Sequence, residues 1–229
     1  MSIPPIEGDD ADKIVRAGYV ADSAWYVHAA LCWLAYAEKH NAATALFYAA
    51  LNVRMGIEHL WFDIFVVSKG NSISEEEYRK AVAQSTKLYK LIDTHSPDYV
   101  KFVDFTQMMN SFDSNPHPPT IIWDINRLKR IHGECSERLL HFGGKPDAGY
   151  RGDQWCSERI RFLSDSADWM WNEMTSRGNL VVYKPESLQK PEVYEIWQHY
   201  QTGTLDREGT KLRLRIIQPA LSARRTGLI

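Results

Sequence analysis

Between Ala24 and Ala37 the chain carries no formally charged residue. A helix so free of charge has no polar face to turn to water, so it has to be covered on more than one side. It is also too short to cross a bilayer, which takes about 20 apolar residues. A break at His40-Asn41 leads to a second apolar helix, about Ala42 to Ser68, closed by Gly70-Asn71. Two long helices joined by so short a loop pack antiparallel as a hairpin. With 44% hydrophobic and 24% charged residues, the composition is that of a globular protein. The acidic opening MSIPPIEGDD lacks the apolar stretch of a signal peptide, and no run of eighteen apolar residues occurs. The expectation is a soluble, cytoplasmic, mainly α protein with no membrane partner.

Further along, the pattern stays helical. Residues 1–9 read as a loose arm, and the first helix is expected over about Asp12 to His40. Ser74 and Glu77 form a capping box for a third helix running to about Asp93. Ser96-Pro97 is expected to stop it, with a fourth helix over Asp98–Phe112. Thr120 is the expected cap of a fifth helix over about 121–142, with the stripe Ile121, Ile125, Leu128, Cys135, Leu139 and Phe142, ended by Gly143-Gly144. A sixth helix, from Asp153 to about Ser176, carries Ile160, Leu163, Ala167 and Met170 on one continuous seam. That seam suits a partner helix or a second subunit, and a homodimer through it is the expected assembly.

After Arg177-Gly178 the character changes. Leu180–Tyr183 is β-rich, Pro191–Gln201 suits a short helix, and Lys211–Ile217 alternates basic and aliphatic residues as a half-buried strand does. The expected organisation is a helical bundle over 1–178 with a small strand–helix–strand appendage over 179–229. Residues 203–229 carry a net +4 against −6 for the rest. A basic strand there either contacts phosphates or keeps a sheet edge from aggregating.

Polar residues are scarce on the second helix: Asn52, Arg54, Glu58, His59 and Asp63. At about 100° per residue, Asn52, His59 and Asp63 fall within roughly 40° of one another, and Arg54 and Glu58 share a different face. Two readings of Arg54 and Glu58 stand. They form an i, i+4 ion pair that satisfies the charges of a mostly buried helix, or they are kept for a ligand. His59 is either a base oriented by a carboxylate or a histidine satisfied at a helix contact. Arg138 and His141, at i, i+3, can converge on one ligand, and a last helical turn also favours basic residues. His132, in the middle of its helix, reads as a packed core histidine.

Several chemistries lack their residues. There is no HExxH or Glu-x-x-His, no G-x-G-x-x-G or G-x-x-x-x-G-K-[ST], and no G-x-S-x-G. Cys32, Cys135 and Cys156 stand far apart, which argues against a disulfide framework or a zinc knuckle and fits a reducing compartment. No metal and no cofactor is expected.

The helical hairpin, the second-helix run Tyr48-Ala-Ala-Leu-Asn-Val-Arg54-Met-Gly-Ile-Glu58-His59-Leu and the late run Cys135-Ser136-Glu-Arg138-Leu-Leu-His141 resemble the HEPN superfamily, over roughly residues 12–142. The resemblance is to its bacterial HEPN-like branch with an arginine on the second helix. It implies an antiparallel all-α bundle, commonly dimeric. Many such proteins are metal-independent endoribonucleases of toxin–antitoxin or phage-defence systems, and others are non-catalytic binding or scaffold domains. The family motif, Arg followed four to six residues later by His, falls on Arg54 and His59. In that reading RNA is the partner: the histidine moves the 2′-OH proton and the arginine stabilises charge developing on the phosphorane. Asn52, Glu58, Asp63, Arg138 and His141 are the accompanying binding candidates. On a regular helix Arg54 and His59 project roughly 140° apart, so one shared pocket needs a dimer or a distorted helix.

Overall fold

A computed structural model describes residues 22–40, 42–69, 74–83, 85–112, 116, 118–140, 153–175, 180–182 and 185–225. The chain is mainly α-helical. Its helices are α1 Ser23–His40, α2 Ala43–Ser68, α3 Glu75–Ala83, α4 Ser85–Asn110, α5 Ile125–Glu134, α6 Asp153–Thr175, α7 Pro191–Gln201 and α8 Arg207–Arg225. A π-helical segment, Cys135–Leu140, continues α5, and a 3₁₀ turn, Glu186–Gln189, precedes α7. The expected arm over residues 1–9, the start of the first helix and Gly143-Gly144 lie outside the described residues. Contacts divide the chain into two compact units: Met1–Leu60 with Asp124–Ser176, and Trp61–Trp123 with Arg177–Ile229. The chain passes between them within α2, at Trp123/Asp124 and again at Ser176/Arg177, so each unit is assembled from separated stretches.

In the first unit α1 and the start of α2 form the expected antiparallel hairpin. The Tyr26 ring meets His59 at one end and Trp33 stacks on Tyr48 at the other, with centroids 4.9 and 4.8 Å apart. Backbone closeness makes this possible. A Cβ on Gly56 would stand 3.1 Å from Val27 Cγ2 and 3.2 Å from the Ser23 carbonyl oxygen. Val27, Ala30, Leu34 and Ala37 are buried at 3-4-3 spacing, the periodicity of one helical stripe. α6 packs on α1 with Leu163, Ala167 and Met170 fully buried, and Trp171 stacks on His28 at 5.1 Å. These three side chains of the α6 seam are therefore covered inside the chain. Ile160, on the same seam, is half-buried.

The second unit is built on α4. The expected stop at Ser96-Pro97 is absent: Pro97 lies inside α4. An interior proline costs about 3 kcal/mol through its missing donor and its clash with the preceding turn. Ile92, Tyr99, Phe102, Phe105 and Met108 are buried on both sides of it, and burial of such side chains at ~1.5–3 kcal/mol each outweighs the break. Trp197 of α7 packs against Phe102 and Phe105, with ring centroids 5.2 and 5.4 Å away. The Ser74–Glu77 capping box forms, with Glu77 N–H donating to Ser74 Oγ at 3.2 Å and Ser74 N–H to Glu77 Oε2 at 3.0 Å.

Three further expectations need correction. Thr120 caps no helix; it pairs with Leu180 as an isolated parallel bridge, and Asp124 caps α5 by accepting from Arg127 N–H at 2.9 Å. The fifth helix starts at Ile125, because residues 121–124 have no regular structure; it widens to π at Cys135, and residues 141 and 142 lie outside the described residues. The two-stranded appendage does not exist among the described residues. Leu180 makes only that bridge, and Lys211–Ile217 lies within α8, which buries Thr210 and Leu214 one turn apart. With no partner strand beside it, a run of Lys, Leu and Arg follows its helix propensity. α8 is held at its start: the Arg207 guanidinium reaches Asp104 Oδ1 and Oδ2 at 3.1 and 3.2 Å, and Tyr200 donates to the same carboxylate. Gly203, with φ 76°, makes the turn between α7 and α8.

The close approach at Gly56 can be weighed against a glycine with room. Gly56→Val should destabilise by about 1–3 kcal/mol through overpacking against α1. Gly133→Ala, where an added Cβ meets nothing within 4 Å, should stabilise by about 0.5–1 kcal/mol. Urea unfolding of the two variants beside wild type measures both.

Candidate functional site

The polar residues of α2 separate by the neighbour each one meets. Arg54 Nε donates to Glu58 Oε1 at 2.8 Å, one turn along the same helix. His132 of α5 places Nε2 2.9 Å from that same oxygen. An ionised carboxylate only accepts, so Nε2 carries the proton in this contact. The three side chains are 24%, 18% and 13% exposed for Arg54, Glu58 and His132 respectively. Burial pushes the Glu58 carboxyl up, but hydrogen bonds from His132 and Arg54, with their charges, outweigh it and hold the group below its ordinary 4.5.

His59 turns elsewhere. Its ring lies on Tyr26 of α1 and is half-buried. The structure thus brings Arg54, Glu58 and His132 together and leaves His59 on the α1 side, as the helical phase of about 140° between positions 54 and 59 requires. Asn52 Nδ2 donates to its own helix at Tyr48 O, 2.7 Å away. Asp63 is half-buried in the part of α2 that belongs to the second unit. The Arg138 backbone lies in the π segment, while its side chain and the whole of His141 fall outside what is described.

Cys135, at the start of the π segment, is fully buried, and burial first, then the charge of Glu134, pushes its thiol up to about 12, with Arg54 opposing. A thiol so rarely ionised is not a nucleophile. An open groove of about 440 Å³ lies along α5 and α6, where Arg130, Arg159 and Arg161 are matched by Glu134, Glu158 and Asp165. Its formal charge cancels, so it lacks the cationic excess that holds a phosphate backbone. Among the described residues no three His, Cys, Asp or Glu side chains gather as a set of metal ligands, and no helix is long and apolar enough to cross a membrane. Comparison with models of protein families, with curated proteins and with solved structures finds no match.

His132 is the member of the cluster that sequence reasoning placed in the apolar core. It stands 74 positions from Glu58, and local spacing carries no signal over that distance. The one sequence hint is that a mostly apolar α2 carries a carboxylate able to accept from more donors than Arg54 alone.

Replacing Glu58 by Gln should cost about 1–3 kcal/mol at pH 7, since two donors lose a charged acceptor in a partly buried contact. Its carboxyl titrates lower folded than unfolded, so this stability is complete above the ordinary value and is lost as pH falls through the lowered one. The gap in melting temperature between wild type and Glu58→Gln should therefore narrow below about pH 4.5. A gap that stays constant down to pH 3 would show that the carboxylate charge contributes nothing.

Proposed function

We propose that this chain is a non-catalytic interaction protein of HEPN-like helical architecture, in which Arg54, Glu58 and His132 lock α2 to α5. The observation that carries this reading is the direction of two side chains. Arg54 is neutralised by Glu58 on its own helix, and His59 lies on Tyr26. A base and a phosphate-stabilising cation have to converge within hydrogen-bond reach of one phosphodiester, and these two have separate neighbours. The charge-balanced groove on α5 and α6 supports the same reading, because it supplies no electrostatic footing for RNA.

RNA cleavage is the experiment that separates this from the ribonuclease reading of the same fold. Purified wild-type protein, Arg54→Ala and His59→Ala are incubated with end-labelled single-stranded and hairpin RNAs in EDTA. The expected result is the same background for all three, with Arg54→Ala less stable to urea. Cleavage by wild type that disappears in either variant, at an unchanged melting temperature for His59→Ala, overturns the proposal and returns Arg54 and His59 to catalysis.

A further inference from the structure

α8 packs on α4 and α7 along one side and turns its other side to solvent. Thr210 and Leu214 are buried on the packed side. Measured round the helix from Leu212, those two lie about 160° to 200° away. Ile216 lies at about 40°, Arg213 at about 100°, and Arg215 about 60° to the other side. Leu212 and Ile216 are 60% and 68% exposed, the most open large hydrophobic side chains among the described residues. They stand one turn apart with a guanidinium on either flank.

No acid neutralises those two guanidiniums. Arg213 Nη1 lies 3.5 Å from the His199 ring, and Arg215 lies 5.7 Å from the centre of the Phe112 ring. Among the described residues neither meets a carboxylate. Their basic neighbours are engaged: Arg207 is held by Asp104, and Lys211 meets Glu208, the one acid of the helix, at 2.8 Å. Over its 19 residues α8 sets six basic side chains against that acid.

Charge makes the partner anionic, and the aliphatic centre narrows it further. A single-stranded phosphate backbone is followed by cations set beside rings on which bases stack. The middle of this face is instead Leu212 and Ile216, which gain nothing from phosphates. A protein interface of stable size, ~1,200–2,000 Å², is anchored by aromatic side chains seated in pockets, and this face is a convex helix surface with aliphatic members. A bilayer asks for no matching shape. A helix lying in its surface sinks aliphatic side chains beneath the headgroups and keeps arginines level with the phosphates, their methylene stems spanning the boundary. The order across α8, arginine, two aliphatic side chains, arginine, is the order such a helix needs.

We propose that the solvent face of α8, with Leu212 and Ile216 between Arg213 and Arg215, is a peripheral binding surface for an anionic lipid bilayer. The basic run that a strand would have offered to phosphates acts here from a helix. Contact at the surface replaces the expectation of no membrane partner and needs no spanning helix. This surface lies in the second unit and makes no use of Arg54, Glu58 or His132, so it stands or falls separately from the reading above.

Co-sedimentation of the full chain with sucrose-loaded vesicles tests it. In about 0.1 M salt, vesicles of about 70% phosphatidylcholine and about 30% phosphatidylserine should bind at least tenfold more strongly than pure phosphatidylcholine vesicles. Raising the salt to about 0.5 M should release the protein. An arginine near an anionic surface contributes roughly fivefold, so Arg213→Gln with Arg215→Gln should weaken binding about 25-fold. Leu212→Gln with Ile216→Gln should weaken it about tenfold or more, through loss of two aliphatic side chains from the apolar layer. All four positions are exposed and glutamine suits a helix, so both variants should keep the wild-type circular dichroism and melting temperature. No binding to the anionic vesicles overturns the inference, as does binding that either double substitution leaves unchanged. Tighter binding to a single-stranded RNA than to the vesicles, lost in Arg213→Gln/Arg215→Gln and kept in Leu212→Gln/Ile216→Gln, overturns it in favour of a nucleic-acid surface. RNA cleavage by wild type overturns the functional reading alone, and vesicles left unbound overturn this inference alone.

Discussion

The first unit depends on two helix backbones meeting at a residue without a side chain. At Gly56 an added Cβ would stand only 3.1 Å from Val27 Cγ2 and 3.2 Å from the Ser23 carbonyl oxygen, so α1 and α2 approach more closely there than branched residues would permit. Once that contact is made, helical phase decides the rest. Glu58, two residues on, turns toward His132 of α5, and His59 turns back onto Tyr26. The polar side chains of α2 thus meet different neighbours: Arg54 and Asn52 bond within α2, Glu58 also reaches α5, and His59 lies on α1.

This distribution explains how an arginine and a histidine five positions apart on one helix come to meet different neighbours. Spacing along a helix specifies direction as well as distance. Five residues bring the chain to the opposite flank, and a flank covered by α1 holds a histidine against an aromatic ring while the other holds Arg54 against Glu58. The carboxylate serves two donors, which is efficient for a partly buried charge: each added hydrogen bond offsets desolvation that a single ion pair leaves uncovered.

Elements governed by local rules were legible in the sequence. The uncharged run of α1, the Ser74–Glu77 cap and the 4-3-4-3 seam of α6 each act over a few residues, and each forms where it was expected. Expectations failed where a distant contact outweighed a local signal. Pro97 continues a helix because Ile92 before it and Tyr99, Phe102 and Phe105 after it are buried, and Lys211–Ile217 is helical because Asp104 and the start of α8 are joined and, among the described residues, no strand lies beside it. Arg54–Glu58 was visible as an i, i+4 pair, while the role of His132 depended on a contact that spans a third of the chain. That Trp33, Tyr36 and Tyr48 are partly exposed while Val27, Ala30 and Leu34 are buried was hidden for the opposite reason: apolar residues in an uncharged helix look alike whether they turn inward or outward.

Arg207 is the first residue of α8, and its forked guanidinium grips both oxygens of Asp104 on α4. A bidentate clasp fixes orientation as well as distance, so the heading of the last helix is dictated by a carboxylate about a hundred positions upstream. The turn ahead of it, with Gly203 at its bend, is relieved of that duty. What the turn still requires is a residue at 203 that accepts a positive φ, while the acid on α4 and the base on α8 act as one pair in giving the last helix its direction.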